Sequence, residues 1–147
     1  MISAAKYHSY GNDFLVFLAE EVGQTNFSVL TKLICHPHQG LGADGCVFLS
    51  NLSQDQFALR IFNRDGSEAG MSGNGARCAS AFLHHRGLVE GPQVNLQTQS
   101  GPKVFTLLQS RSTSWKYRST MGLPTFVPAL IPFRGSTNLK NVQDYPL

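Results

Sequence analysis

The stretch from Phe57 to Gly87 limits most what this chain can fold into. Phe57, Leu59 and Ile61 alternate with Ala58, Arg60 and Phe62, the two-residue period of a strand, which delivers Asn63 to its end. A polar, glycine-punctuated run follows: Asn63-Arg64-Asp65-Gly66-Ser67-Glu68-Ala69-Gly70-Met71-Ser72-Gly73-Asn74-Gly75. From Asn74 onward, Ala76, Ala79, Ser80 and Ala81 leave the first turns of a helix free of bulk and charge, as suits a helix enclosed by sheet on most sides. Asn74 is the expected cap at its start and Gly87 the cap at its end, where His84 to Arg86 complement the helix dipole. Gly73 and Gly75 admit dihedrals closed to other residues and let a ligand approach the main chain. A helix start also offers unpaired N–H groups and a partial positive charge, so a bound carboxylate is the first expectation here. Taken singly, Asp65-Gly66 and Gly73 to Gly75 would read only as turns.

The whole string is more specific than any glycine pair. Asn-Xaa-Asp-Gly-Ser-Glu-Ala at 63–69, followed by Gly-Asn-Gly-Ala-Arg-Cys at 73–78, resembles the first active-site segment of the diaminopimelate epimerase family. Tyr10-Gly11-Asn12-Asp13-Phe14 looks like that family's amino-terminal signature, and similarity extends to Gly40-Leu41-Gly42-Ala43-Asp44-Gly45 and to Met121-Gly122 through Pro124. The resemblance spans essentially the whole chain, yet only the first half of a family member. Where the family carries a cysteine just before Gly-Asn-Gly, this sequence has Ser72.

The resemblance implies an α+β fold, a mostly antiparallel or mixed sheet wrapped around a central helix, as one of two pseudo-symmetric domains. Residues 1–118 would form the first and 119–147 begin the second. It further implies cofactor-independent interconversion of LL- and meso-diaminopimelate by two-base proton transfer, in lysine and cell-wall precursor synthesis. Matched residue by residue, Ser72 stands at the first catalytic position and Asn12, Asn63, Gly73 and Asn74 are substrate contacts. A thiol near a helix start can reach a thiolate near neutrality, whereas a hydroxyl has the geometry without the acidity. The lone fragment is therefore expected to be inactive. Cys78 cannot substitute, since six residues place it about 240° around a helix from position 72. Gly70-Met71-Ser72-Gly73-Asn74 lacks the last glycine of a nucleophile elbow, which disfavours a serine hydrolase. The rival readings are a non-catalytic ligand-binding or scaffold half-domain, and a proline racemase-like or phenazine-biosynthesis-like isomerase. The expected partners are a small amino-acid substrate, diaminopimelate, and a second copy in a homodimer. Strands from the rest of a family member completing this sheet would leave the present chain with an unpaired edge and a tendency to associate.

Composition narrows the classes. With 147 residues, 41% of them hydrophobic, the chain can bury one ordinary core. The net charge of +3 comes from scattered basic residues, so no nucleic-acid partner is expected. Cys35, Cys46 and Cys78 are irregularly spaced and argue for a reducing compartment. No run approaches membrane-spanning length and Met1 to Lys6 is no signal peptide, so a cytoplasmic protein without membrane contact is expected. No cofactor and no metal site is expected, His36 and His38 lacking further ligands at suitable spacing.

Along the rest of the chain, Ile2 to His8 and Phe14 to Ala19 read as strands joined by Tyr10 to Asp13. Asn26 or Ser28 caps a helix to about Cys35 with Val29, Leu30, Leu33 and Ile34 on its apolar face. Gly40 to Gly45 is a loop held by Asp44, leading into a short strand at Cys46 to Leu49. It is no nucleotide loop, because a helix precedes it and a strand follows. Strand patterns recur at Val94 to Thr98, Lys103 to Leu108 and Ser114 to Arg118, with turns at Ser100 to Pro102 and Gln109 to Thr113.

Overall fold

The computed structural model describes residues 3–135 and residue 142. Strands β1 (Ala5–Ser9), β2 (Asn12–Leu18), β3 (Gly45–Ser53), β4 (Gln56–Asn63), β5 (Glu68–Ala69), β6 (Gln93–Thr98), β7 (Gly101–Arg111) and β8 (Ser114–Ser119) form one sheet. Its order is β1-β2-β3-β4-β6-β7-β8, with the short β5 on β4. The β2–β3 and β4–β6 pairs are parallel and all others antiparallel. Each parallel step is bridged by a helix, α2 (Phe27–Ile34) in the first and α3 (Gly73–His85) in the second, as parallel neighbours require. A single turn, α1 (Ala19–Val22), follows β2.

Helix α3 packs against β1, β2 and β3 and also against β8, the opposite end of the strand order, so the sheet curls around it. Its middle is buried all round: Ala76, Cys78, Ala79, Ser80, Ala81, Phe82 and Leu83 are all inaccessible or nearly so. Small residues let the strands approach, and Phe82 and Leu83 fill the space left, together with Val16, Val47, Leu59, Ile61, Leu96 and Phe105. This is the fold expected from the sequence: an α+β domain with mixed sheet around one helix. Helix α2 covers the outer face, where Leu15, Phe17, Cys46, Phe48 and Phe62 meet Phe27, Leu30 and Ile34. Because β2 and the first half of β3 are covered on both faces, their sequences read as nearly continuous apolar runs, whereas β4 keeps its alternation, with Arg60 exposed.

Several local expectations need correcting. The buried side of α2 is Phe27, Leu30, Thr31 and Ile34, whereas Val29 and Leu33 are 53% and 65% exposed. Phe27 decides this by stacking on Phe48 at 4.0 Å between ring centres. The first hairpin is tighter than expected, its loop only Tyr10-Gly11 with both residues at positive φ, +54° and +88°. The short strand after Gly45 runs on to Ser53, and β7 takes in Gly101 and Pro102 and continues to Arg111, leaving Ser112-Thr113 as the turn. The first strand begins at Ala5, and Ile2 lies outside the described residues. After β8 the described chain holds only a 3-10 turn at Pro128–Leu130, with Leu123 and Leu130 largely exposed.

Candidate active site

Register assembles the site. Phe14 pairs with Gly45, and Gly45 with Asn63, so Asn12, Asp44 and Asn63 come to one end of three neighbouring strands. Gly45 is required there for space: a Cβ would stand 2.4 Å from the Phe62 carbonyl oxygen. Helix α3 begins at the same end.

The helix cap is Ser72, not Asn74. Ser72 is extended (φ −137°, ψ 118°) and its Oγ accepts a hydrogen bond from the Gly75 N–H at 3.1 Å. Gly73 and Gly75 are helical, without positive φ, so the conformational freedom expected of them goes unused. What matters is the missing side chain. At Gly75 a Cβ would sit 3.3 Å from Ile61 Cδ1 and 3.4 Å from Ser72 Oγ.

Asn74, released from capping, joins a chain of side chains across the fold. Its Nδ2 donates to Asn12 Oδ1 at 3.2 Å, and Asn12 Nδ2 donates to Asp44 Oδ2 at 2.9 Å. Arg77 Nη1 donates to Asn74 Oδ1 at 3.0 Å. The two ends fix both amides, because a carboxylate only accepts and a guanidinium only donates. Asp44 thus holds its loop as expected, accepting the Asp13 N–H at 3.1 Å, and orients a site residue as well. Lys6 anchors the outer side, 2.9 Å from Asp13 Oδ2. Burial pushes the Asp13 carboxyl up, but the bonds from Lys6 and the Asp44 N–H outweigh it and hold it below the usual range.

Of the residues the sequence singled out, Asn12 and Asn74 are in direct contact, and Ser72 and Gly73 adjoin them in the first turn of α3. Asn63 stands at the same strand end but bonds elsewhere. Its Nδ2 donates to Ser67 Oγ at 3.0 Å, and Ser67 Oγ donates to Asp65 Oδ1 at 2.6 Å. That bond, with a second from the Ser67 N–H at 2.8 Å, holds the Asp65 carboxyl below its ordinary value. Asn63 is tied to the network through its neighbour, the Arg64 N–H donating to the Asp44 carbonyl at 3.0 Å. Lys6, Asp13 and Arg77 were not foreseen. Only Arg77 had a local signal, its spacing of three from Asn74 along the helix.

Cys78 is 2% exposed among apolar residues, and burial pushes its thiol up to about 12, so it is no thiolate at neutral pH. A cleft of about 680 Å³ opens between β1 and β8, with Tyr7, Trp115 and His85 on its wall, and it shares Lys6 and Arg77 with the network above. His36 Nδ1 accepts the His38 and Gln39 N–H groups, an ordinary turn. No helix among the described residues is long and apolar enough to cross a membrane.

Residues 4–127 match the family described as diaminopimelate epimerase. A diaminopimelate epimerase of Alkaliphilus metalliredigens is 36% identical over 132 residues, 89% of this chain and 47% of that protein. The chain thus spans about half the length of the curated relatives it matches. Among solved structures, a probable proline racemase from Agrobacterium radiobacter superposes with a TM-score of 0.63 at 20% identity, covering 82% of this chain and 42% of that one. A Bacillus anthracis phenazine biosynthesis protein gives 0.57 at 16% identity, covering 78% and 37%. At such identities the likeness is one of fold.

Proposed function

This chain belongs to the diaminopimelate epimerase family, and from that premise we propose that it is one half of an enzyme inverting an amino-acid centre between LL- and meso-diaminopimelate. Asn12, Asn63, Gly73 and Asn74 contact the substrate in this reading, and Ser72 stands where one of two bases is needed. Residues 119–147 begin the second half, and the partner molecule is a small amino acid. The observation that carries the reading is the convergence of the oriented Asn12–Asn74 amide pair with the start of α3.

The chemistry needs no cofactor. A substrate carboxylate at the start of α3 would meet free N–H groups and the positive end of the helix, which also stabilise charge as the α-proton leaves. One group must take that proton and another return one from the opposite face. The Ser72 hydroxyl is a poor base, and its oxygen already accepts from Gly75 N–H. That bond favours, as the second reading, a half-domain that binds ligand without turning it over. The fold likeness to racemase and phenazine proteins leaves an isomerase of another substrate as a further alternative.

The test is exchange of the α-proton in deuterated water with LL- and meso-diaminopimelate. The 147-residue chain should show none. Joined to the second half of a family relative, the Ser72→Cys version should exceed the serine form by a factor on the order of 10² to 10⁴. Exchange by neither full-length form would move the reading to binding without turnover, and turnover by the lone chain would overturn the assignment of two halves.

A further inference from the structure

On the outer face of the sheet, away from α3, two thiols meet that no step above uses. Cys35 caps the end of α2 and Cys46 is the second residue of β3. Their sulfurs are 3.4 Å apart, both side chains are fully buried, and neither is bonded covalently. A disulfide needs its sulfurs at about 2.05 Å, so closure asks for a movement of roughly 1.4 Å. Cys78 cannot compete, since it packs in the other core cluster around α3.

We propose that Cys35 and Cys46 are a two-electron redox pair, closed to an intramolecular disulfide by a peroxide and reopened by a thiol. The pair is asymmetric. The hydrogen bond between the two thiols, in which either sulfur can be the donor, holds Cys35 below the ordinary thiol range, Arg64 and Lys6 adding to this while burial and Asp13 oppose it. The same bond, together with burial, pushes Cys46 up. Thr31, fully buried one turn before Cys35, lies against Cys46, and among the described residues its hydroxyl has no oxygen or nitrogen partner. A sulfur accepts only weakly, which leaves the pocket polar but unsatisfied.

The roles follow from that asymmetry. Cys35 thiolate attacks one peroxide oxygen; the S–O bond forms as O–O breaks, and the departing hydroxide takes a proton to become water. The Cys46 sulfur then attacks the Cys35 sulfenic acid. The S–S bond forms as S–O breaks, and the hydroxyl leaves with the Cys46 proton as a second water. Two thiols are oxidised and one peroxide is reduced to two waters.

The cross-link would fasten the end of α2 to the head of β3 and close the loop 36–45. That loop carries Asp44, whose carboxylate orients Asn12. Oxidation therefore stiffens the anchor of the candidate site without touching it. The proposal does not depend on the substrate assigned above.

The test uses the 147-residue chain, reduced, exposed to hydrogen peroxide, then unfolded and alkylated with N-ethylmaleimide. The untreated chain should take three maleimides, one for each of its three cysteines. The oxidised chain should take one, on Cys78, and weigh two hydrogens less before alkylation, with a single peptide linking Cys35 to Cys46. Dithiothreitol should restore all three, and the oxidised chain should unfold at a temperature several degrees higher. A Cys78→Ala chain should lose every alkylation site on oxidation. Three maleimides after peroxide, a cross-link that includes Cys78 or a second chain, or sulfinic acid on Cys35 beside a free Cys46 would each overturn the proposal.

Discussion

Helices α2 and α3 begin alike and end in opposite surroundings. Asn26 Oδ1 accepts the Val29 N–H at 3.2 Å, and Ser72 Oγ accepts the Gly75 N–H at 3.1 Å, the same bond three residues on. Yet α2 leaves Val29 and Leu33 to solvent, whereas α3 is enclosed. Their entrances differ too. In the first turn of α2, Ser28 Oγ donates to the Gly66 carbonyl at 2.6 Å, so that helix start is occupied by the chain's own turn. In the first turn of α3, Asn74 reaches across to Asn12. Capping sets where a helix begins; what strand ends deliver in front of it decides whether that beginning can receive a ligand.

The contrast can be broken most forcefully at α3. Phe82→Ala, which empties the middle of the core, should cost about 4 kcal/mol in chemical denaturation. A cost near 1 kcal/mol would mean that α3 is not enclosed as described. Alkali should act on the same helix. The folded Cys78 thiol sits at about 12 against an ordinary 9.0, so its contribution is fully present below pH 9 and fades as pH rises toward 12. Unfolding followed against pH should steepen in that window for the parent chain and less so for Cys78→Ala.

The caps sharpen the likeness. Ser72→Ala and Asn26→Ala should each cost about 1 kcal/mol. If Ser72→Ala costs nothing, the hydroxyl is not the cap and its role must be sought in the site alone. At the outer edge of the comparison, Leu33→Lys should move stability by less than about 0.5 kcal/mol, because that side chain already stands in water.

The strand-to-helix passage was legible because alternation, small residues and Gly87 all point the same way there. Helix α2 was half legible: Asn26, the span and the inward Leu30 and Ile34 were, but Val29 and Leu33 face solvent instead. Val29-Leu33 and Phe27-Leu30-Thr31-Ile34 are both helical stripes, and only the rings of Phe48 and Phe62 select the second. Ser72 and Asn74 are both competent caps by type. The choice fell to Ser72 because Asn74 has a better use 62 residues away, and no local pattern announces a contact at that distance. The bond from Asn12 to Asp44 and the ion pair of Lys6 with Asp13 became visible only when register brought their strands together.

The strand order has a consequence of its own. Apart from β6, which returns to β4 past β5 and α3, every strand among the described residues lies beside the one made just before it. A nascent chain can therefore lay down this sheet as it is synthesised, each new strand finding its template already in place, with an edge held open only at β2 and β4, until α2 and α3 have been made. The last strand among the described residues, β8, also touches α3, so the rolling-up of this ribbon around its helix must wait until β8 has been made.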